Sequence, residues 1–131
     1  MFEQDYIMRL IKEMVRAILK LLFQIDTESP TEELLEEKEE RAVFHALAEL
    51  IDSGAINEAE NRLYDLMEYD QSVDRESASL KTAVLFYSYL NQKSDDFLQE
   101  HDYSREEIQT GLNQIISRYG LEGITELWTE Q

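Results

Sequence analysis

The sequence predicts an all-α protein, an antiparallel assembly of five to six helices in a single domain covering residues 1–131. Apolar residues recur every three or four positions through most of the chain, which is the period of a helix. Capping signals and glycines divide the chain into segments of helix length. No segment alternates apolar and polar residues as a half-buried strand does. A domain of this length can bury a core without disulfides.

Residues 1–25 are predicted to form a long amphipathic helix. Its apolar stripe contains six residues: Ile7, Ile11, Met14, Ile18, Leu21 and Ile25. Four basic residues lie on the opposite side: Arg9, Lys12, Arg16 and Lys20. Leu19 and Phe23 stand one turn apart on the side that should be polar, so we expect this helix to need apolar cover from more than one neighbour. We interpret Leu19 and Phe23 as a leftover patch that predicts a homodimer.

The second helix is predicted to begin at Ser29-Pro30-Thr31-Glu32 and to end at Gly54. Serine caps helices, proline suits the first helical position, and a glutamate three residues after the cap completes a capping box. Leu34 is out of phase with the apolar stripe further along this helix. That phase difference indicates either local packing against the first helix or a bend.

A third helix is predicted from Ala55 to Tyr69, so that residues 43–69 form an antiparallel hairpin around Gly54. Six residues carry a resemblance: Gly54, Ile56, Glu58, Ala59, Leu63 and Leu66. They resemble the hinge and second helix of a tetratricopeptide unit, which implies a helical scaffold. The chain has no second copy at that period, so a solenoid array is not predicted.

Three further helices are predicted in the second half of the chain: Ser77–Asn91, a short helix capped by Ser94, and a helix from the Ser104 capping box to Gly120. Residues 70–76 are polar and are interpreted as a loop. The apolar residues Ile124, Leu127 and Trp128 predict a last helical turn or two.

Two stretches carry a resemblance that spans most of the chain: residues 1–9 with 21–23, and residues 97–108, which run F-L-Q-E-H-D-Y-S-R-E-E-I. With them the chain resembles a family of small acidic helical proteins from Gram-positive bacteria. The resemblance implies an intracellular setting, and the family has no known activity to transfer.

The net charge of −17 is unevenly distributed along the chain. Residues 1–24 carry four basic and three acidic side chains, a net charge of +1, so residues 25–131 carry −18. An acidic shell repels nucleic acid and anionic membranes and attracts basic partners, so we expect a basic protein partner and no nucleic acid. The chain has no cysteine, which suits a cytoplasmic location. No signal peptide or membrane-spanning segment is predicted.

No motif of the sequence predicts a reaction, a cofactor or a metal. Neither His45 nor His101 follows a glutamate by three residues, as a di-iron helical bundle requires, and each is interpreted as a surface residue because zinc needs three or four converging ligands. Phosphate-binding glycine loops and nucleophile elbows are absent from the sequence. We therefore favour a non-catalytic role over an enzyme.

Three functional hypotheses follow from the sequence. The first is a protein–protein interaction or scaffold module, with a candidate surface formed by six residues: Leu19, Phe23, Arg9, Lys12, Arg16 and Lys20. The second is an enzyme or small-ligand-binding protein that uses buried acids and tyrosines. The third is reversible membrane attachment through the first helix, which the acidic remainder of the chain disfavours. The basic stripe is interpreted first as a solvated face or as the partner of the chain's own acidic helices.

Overall fold

The computed structural model describes residues 2–28, 30–69 and 78–123. Six α-helices account for most of these residues: α1 (Phe2–Phe23), α2 (Lys38–Asp52), α3 (Ile56–Tyr69), α4 (Ala78–Asn91), α5 (Asp95–Glu100) and α6 (Arg105–Arg118). A single turn of 3₁₀ helix, Glu32–Leu34, lies between α1 and α2. The described residues contain no strand, and the predicted all-helical fold of five to six helices is confirmed.

The central helix is α4, which packs against α1, α2, α3 and α6. Its apolar residues are buried on nearly every side, so it has no polar face to turn to solvent. The helix α1 packs on both α4 and α6, which confirms that it needs cover from more than one neighbour. A smaller apolar cluster joins α4 to α2 and to the segment before it: Leu35, Phe44, Ala48 and Leu85.

The first helix ends at Phe23, two residues before the predicted end. Gln24 adopts the left-handed conformation, with φ of 59°, and the Ile25 amide donates back to the Leu19 carbonyl at 3.1 Å. This arrangement closes the helix and satisfies a carbonyl of its last turn. The chain then turns back along α1, since Asp26 and Glu28 reach the Arg16 side chain.

The predicted start of the second helix is wrong. Thr31 caps the 3₁₀ turn, and α2 begins only at Lys38, where Glu37 and Glu40 form the capping box. Between them the chain is extended at Leu35, whose side chain is completely buried in the smaller apolar cluster. Burying this leucine requires the chain to leave the helix, and tertiary packing therefore overrides the local capping signal. Ser29, the predicted cap, lies outside the described residues.

The later helix boundaries follow the predictions closely. Gly54 and Gly120 have positive φ values of 90° and 69°, consistent with their predicted positions just after helices. Ser94 caps α5, and Ser104 forms the predicted capping box with Glu107 at the start of α6. The predicted loop 70–76 and the last turns around Trp128 lie outside the described residues. Among the helices of the described ranges, none has the length and apolarity that crossing a bilayer requires.

Candidate functional site

A groove of about 310 Å³ lies between the polar side of α1, the C-terminal end of α4 and the segment that follows α1. Its cationic lining residues are Arg9, Lys12 and Arg16. Its other lining residues include Met8, Glu13, Val15, Glu28, Pro30, Asn91 and Gln92. The structure thus brings three of the six residues of the predicted interaction surface together in one concave surface, which we call the α1 groove.

The other three residues of that surface lie elsewhere. Lys20 is exposed but does not line the α1 groove. Leu19 is 0 % exposed within the main core, and Phe23 is half-buried with the Lys81 ammonium 5.0 Å from its ring centroid. Because helices of the same chain cover α1 from two sides, the apolar patch inferred from the helical wheel is not an open surface of the single chain.

Asn91 fixes the wall of the α1 groove that belongs to α4. Its side-chain amide donates to the Met8 carbonyl of α1 at 3.0 Å, and the residue is almost completely buried. This bond joins two backbone regions that are 83 residues apart in the chain. Buried polar groups that are fully bonded hold one arrangement of the elements around them.

Arg105, the first residue of α6, holds Asn91 in turn. Its guanidinium donates to the Asn91 carbonyl at 2.8 Å, to the Asn91 side-chain oxygen at 3.1 Å and to the Lys93 carbonyl at 2.7 Å. It also forms an ion pair with Asp95 at 2.9 Å, although it is only 2 % exposed. The planar guanidinium suits this role because its donors diverge at fixed angles. The end of α4, which forms one wall of the groove, is therefore held in place by α6.

The charges of the α1 groove are only partly neutralised by the chain itself. The Arg16 guanidinium pairs with Asp26 at 3.2 Å and with Glu28 at 3.4 Å, and all three side chains are substantially exposed. Arg9 and Lys12, by contrast, pair with no carboxylate among the described residues. An exposed cation without a fixed partner is free to meet a carboxylate of another molecule.

A second polar cluster lies at the edge of the core, between α3, α4 and α6. The Glu60 carboxylate accepts hydrogen bonds from the Tyr87 hydroxyl at 2.8 Å and from the Tyr103 hydroxyl at 3.0 Å. Nearby, the Tyr64 hydroxyl donates to the Gln114 side chain at 2.6 Å. Buried tyrosine hydroxyls normally find such partners, so this cluster can hold the three helices together or can hold a proton.

Burial governs the ionisation of this cluster. Desolvation raises the pKa of Glu60 above its ordinary value of 4.5, although the two tyrosine hydrogen bonds oppose the shift. Desolvation, with Glu60 as a neighbouring negative charge, also raises the pKa values of Tyr87 and Tyr103. Both tyrosines therefore remain protonated donors at neutral pH.

The sequence offered no signal for the cluster around Glu60, because its members come from three helices and one loop and follow no common spacing. The histidines have structural contacts: His45 pairs with Glu32, and the His101 ring packs on Phe97 and against Gly54. Across the described ranges, no group of three or more histidine, cysteine or acidic side chains is arranged to hold a metal ion.

Comparison with known proteins identifies a family for the chain. No curated protein and no solved structure is significantly similar to the chain. The model of one family matches residues 1–120, which is nearly the whole sequence and includes both the α1 groove and the Glu60 cluster. The chain therefore belongs to a family of unknown function, DUF6483.

Proposed function

We propose that the protein is a non-catalytic interaction module that binds a protein partner at the α1 groove, and that it works in the cytoplasm. The observation that carries this proposal is the presence of Arg9 and Lys12, exposed and without a carboxylate partner among the described residues, in a concave surface of an otherwise strongly acidic chain. Binding surfaces need a fixed shape and complementary charge, and the α1 groove combines both.

The rest of the fold supports a scaffold role. The α2–α3 hairpin resembles a tetratricopeptide unit, and it packs against α4, whose end forms one wall of the α1 groove. The bonds of Arg105 and Asn91 fix that wall in advance. A preformed site loses less conformational entropy on binding than one that must be ordered by its partner.

Photo-crosslinking in the native host tests the proposal. A photoreactive amino acid is placed at Gln92, a neutral and exposed residue of the α1 groove, and in a second protein at Asn61, an exposed residue of α3. We expect a discrete protein adduct from position 92 and none of that mass from position 61. We also expect Arg9→Gln with Lys12→Gln to abolish the adduct at position 92, because these substitutions remove the two groove cations that pair with no carboxylate of the described residues.

The control for charge is the pair Arg62→Gln and Arg118→Gln, which removes two positive charges from exposed positions outside the α1 groove. This control should keep the adduct. Identical adducts at positions 61 and 92, or an adduct that survives the loss of Arg9 and Lys12, would count against an interaction role for the α1 groove.

The cluster around Glu60 favours a second candidate function, the binding of a small ligand. A carboxylate with a raised pKa beside two tyrosine hydroxyls is a grouping found in ligand and catalytic sites, and also in structural networks. A thermal-shift screen of metals and metabolites against the native protein and Glu60→Gln tests this candidate. A ligand that stabilises only the native protein supports it, and a screen without any such ligand contradicts it.

A further inference from the structure

We infer that the occupant of the α1 groove is an acidic peptide segment of the partner, an inference that rests on the interaction role proposed above. The cationic residues of the α1 groove all lie within residues 1–24, which carry a net charge of +1, whereas residues 25–131 together carry −18. At physiological ionic strength charges are screened over about 8 Å. The charges that line the groove, which are three cations and the carboxylates of Glu13 and Glu28, therefore decide which group binds there more than the distant acidic shell does.

The chain itself shows what this surface binds. After α1 ends, the chain turns back, and the carboxylates of Asp26 and Glu28 lie 3.2 and 3.4 Å from the Arg16 guanidinium. The acidic, non-helical segment that contains Asp26 and Glu28 is thus already bound to the basic face of α1. Lys12 and Arg9 lie four and seven residues before Arg16, one and two turns along the same face. The chain supplies carboxylates to Arg16, and an acidic peptide would supply them to Arg9 and Lys12.

The size and the apolar part of the α1 groove narrow the ligand further. A volume of about 310 Å³ accommodates a few side chains and lies at the lower end of the range for ligand sites. Met8 and Pro30, both half-buried, contribute apolar surface beside the cations. An arginine can bind a carboxylate through two parallel hydrogen bonds, which adds specificity. The geometry therefore fits a peptide in which glutamate or aspartate residues flank an aliphatic side chain.

The bound acidic segment of the chain also competes with such a peptide. The Arg16 pairs are exposed, and exposed ion pairs contribute between about 0 and 1 kcal/mol. Asp26 and Glu28 can therefore release Arg16 at small cost. Replacing both carboxylates by amides frees Arg16 for the peptide and removes two like charges from its path, so it should strengthen peptide binding.

Fluorescence anisotropy on the full-length protein tests this inference at about 0.15 M salt, where long-range repulsion is screened. The probe is a fluorescein-labelled synthetic peptide that alternates glutamate with leucine, and its matched control replaces every glutamate with glutamine. We expect binding of the glutamate peptide only. Arg9→Gln with Lys12→Gln should weaken it about 10-fold, the sum of two modest ion pairs.

Two further variants make the test specific. Arg62→Gln with Arg118→Gln removes the same charge outside the α1 groove and should change the dissociation constant less than about 2-fold. Asp26→Asn with Glu28→Gln should tighten binding about 3-fold or more, by freeing Arg16. A merely structural role for these side chains would not produce a gain in affinity, so this variant separates binding from folding.

Several results would overturn the inference. Equal binding of the glutamate and glutamine peptides would exclude a carboxylate ligand. If inorganic phosphate displaces the peptide at a concentration close to that of the peptide, the groove is a small-anion site. Cosedimentation with phosphatidylglycerol vesicles that depends on Arg9 and Lys12 would identify a membrane surface, and a concentration-dependent dimer that depends on them would identify a second copy. If the photo-crosslinked adduct persists while the glutamate peptide fails to bind, the interaction role stands and only the acidic ligand is wrong.

Discussion

The ring of Tyr87 lies directly on the backbone of Gly111. A Cβ atom built at position 111 would stand 2.5 Å from the Cζ atom and from the hydroxyl oxygen of Tyr87. Helices α4 and α6 therefore approach each other at a point where one contributes a tyrosine and the other no side chain at all. The same tyrosine donates to Glu60 of α3, so this contact positions all three helices.

We predict that Gly111→Ala lowers the free energy of unfolding by about 1 to 3 kcal/mol. Alanine favours a helix over glycine by about 1 kcal/mol, but the added methyl group must displace a buried ring and its hydrogen bond to Glu60. Urea denaturation followed by circular dichroism measures the change. Asn113→Ala, at an exposed position of the same helix, is the control and should change stability by less than about 0.5 kcal/mol.

A double variant shows whether the loss of stability comes from the clash between the new methyl group and the ring of Tyr87. Tyr87→Leu removes the ring that the new methyl group would meet, so in its background Gly111→Ala should cost much less than in the native protein. Strictly additive losses for the two substitutions would show that the close contact is not the cause.

The pH dependence of stability should report the burial of Glu60. Its pKa is raised on folding, mainly by desolvation, so the folded protein binds a proton more tightly than the unfolded chain. Stability contributed by this group is therefore complete below its ordinary pKa of 4.5 and is lost as the pH rises through the raised value. We predict that Glu60→Gln, which keeps an acceptor oxygen but never ionises, gains stability relative to the native protein as the pH rises through that window.

The matched control is Glu58→Gln, which removes one negative charge from an exposed position of the same helix. Unfolding is measured at a series of pH values for the native protein and both variants. For each variant, the difference in free energy of unfolding from the native protein is plotted against pH. If the plot for Glu60→Gln follows the plot for Glu58→Gln, burial of Glu60 does not affect folding.

Arg105 should be essential for the wall of the α1 groove. We predict that Arg105→Met destabilises the protein by about 2 to 4 kcal/mol, because the buried carbonyl of Asn91 and the partly buried carbonyl of Lys93 lose their donor. Arg62→Met removes the same charge from an exposed pair with Glu58 and should cost less than about 0.5 kcal/mol. Equal losses in the two variants, measured by urea denaturation, would contradict this account.

Leu19 and Leu21 provide a test of how α1 is covered. Leu19 is 0 % exposed and Leu21 is 52 % exposed. Leu19→Ala should therefore lower the free energy of unfolding by about 2 to 5 kcal/mol, while Leu21→Ala should change it by less than about 1 kcal/mol. Both proteins are compared by thermal and chemical unfolding. A mild effect at Leu19 with a change in oligomeric state would instead support the homodimer expected from the sequence.

The helices themselves could be predicted because their signals are local. The spacing of apolar residues, the capping box at Ser104, the N-cap at Ser94 and the glycines at positions 54 and 120 act within a few residues of chain, and each is found where the pattern places it. The prediction of where α2 begins was wrong because the deciding signal is not local. The cap signal around Pro30 competes with the burial of Leu35 against α2 and α4, and no local pattern carries that information.

The candidate site divides in the same way. The basic stripe of α1 is a property of the sequence, because the helical period alone puts Arg9, Lys12 and Arg16 on one face. The pairing of Arg16 was decided by the turn at Gln24, which brings Asp26 and Glu28 back to its guanidinium. The meeting of Glu60 with Tyr87 and Tyr103 likewise has no counterpart in any spacing along the chain.

The sequence by itself determined that this protein is helical and acidic with one basic helix face, since periodicity, capping and charge act between near neighbours in the chain. Only the tertiary structure decided that Leu19 is buried, that Glu60 accepts hydrogen bonds from two tyrosines, and that the basic face borders a groove. Those features depend on how helices pack against each other, and packing joins residues such as Asn91 and Met8 that are far apart in the chain.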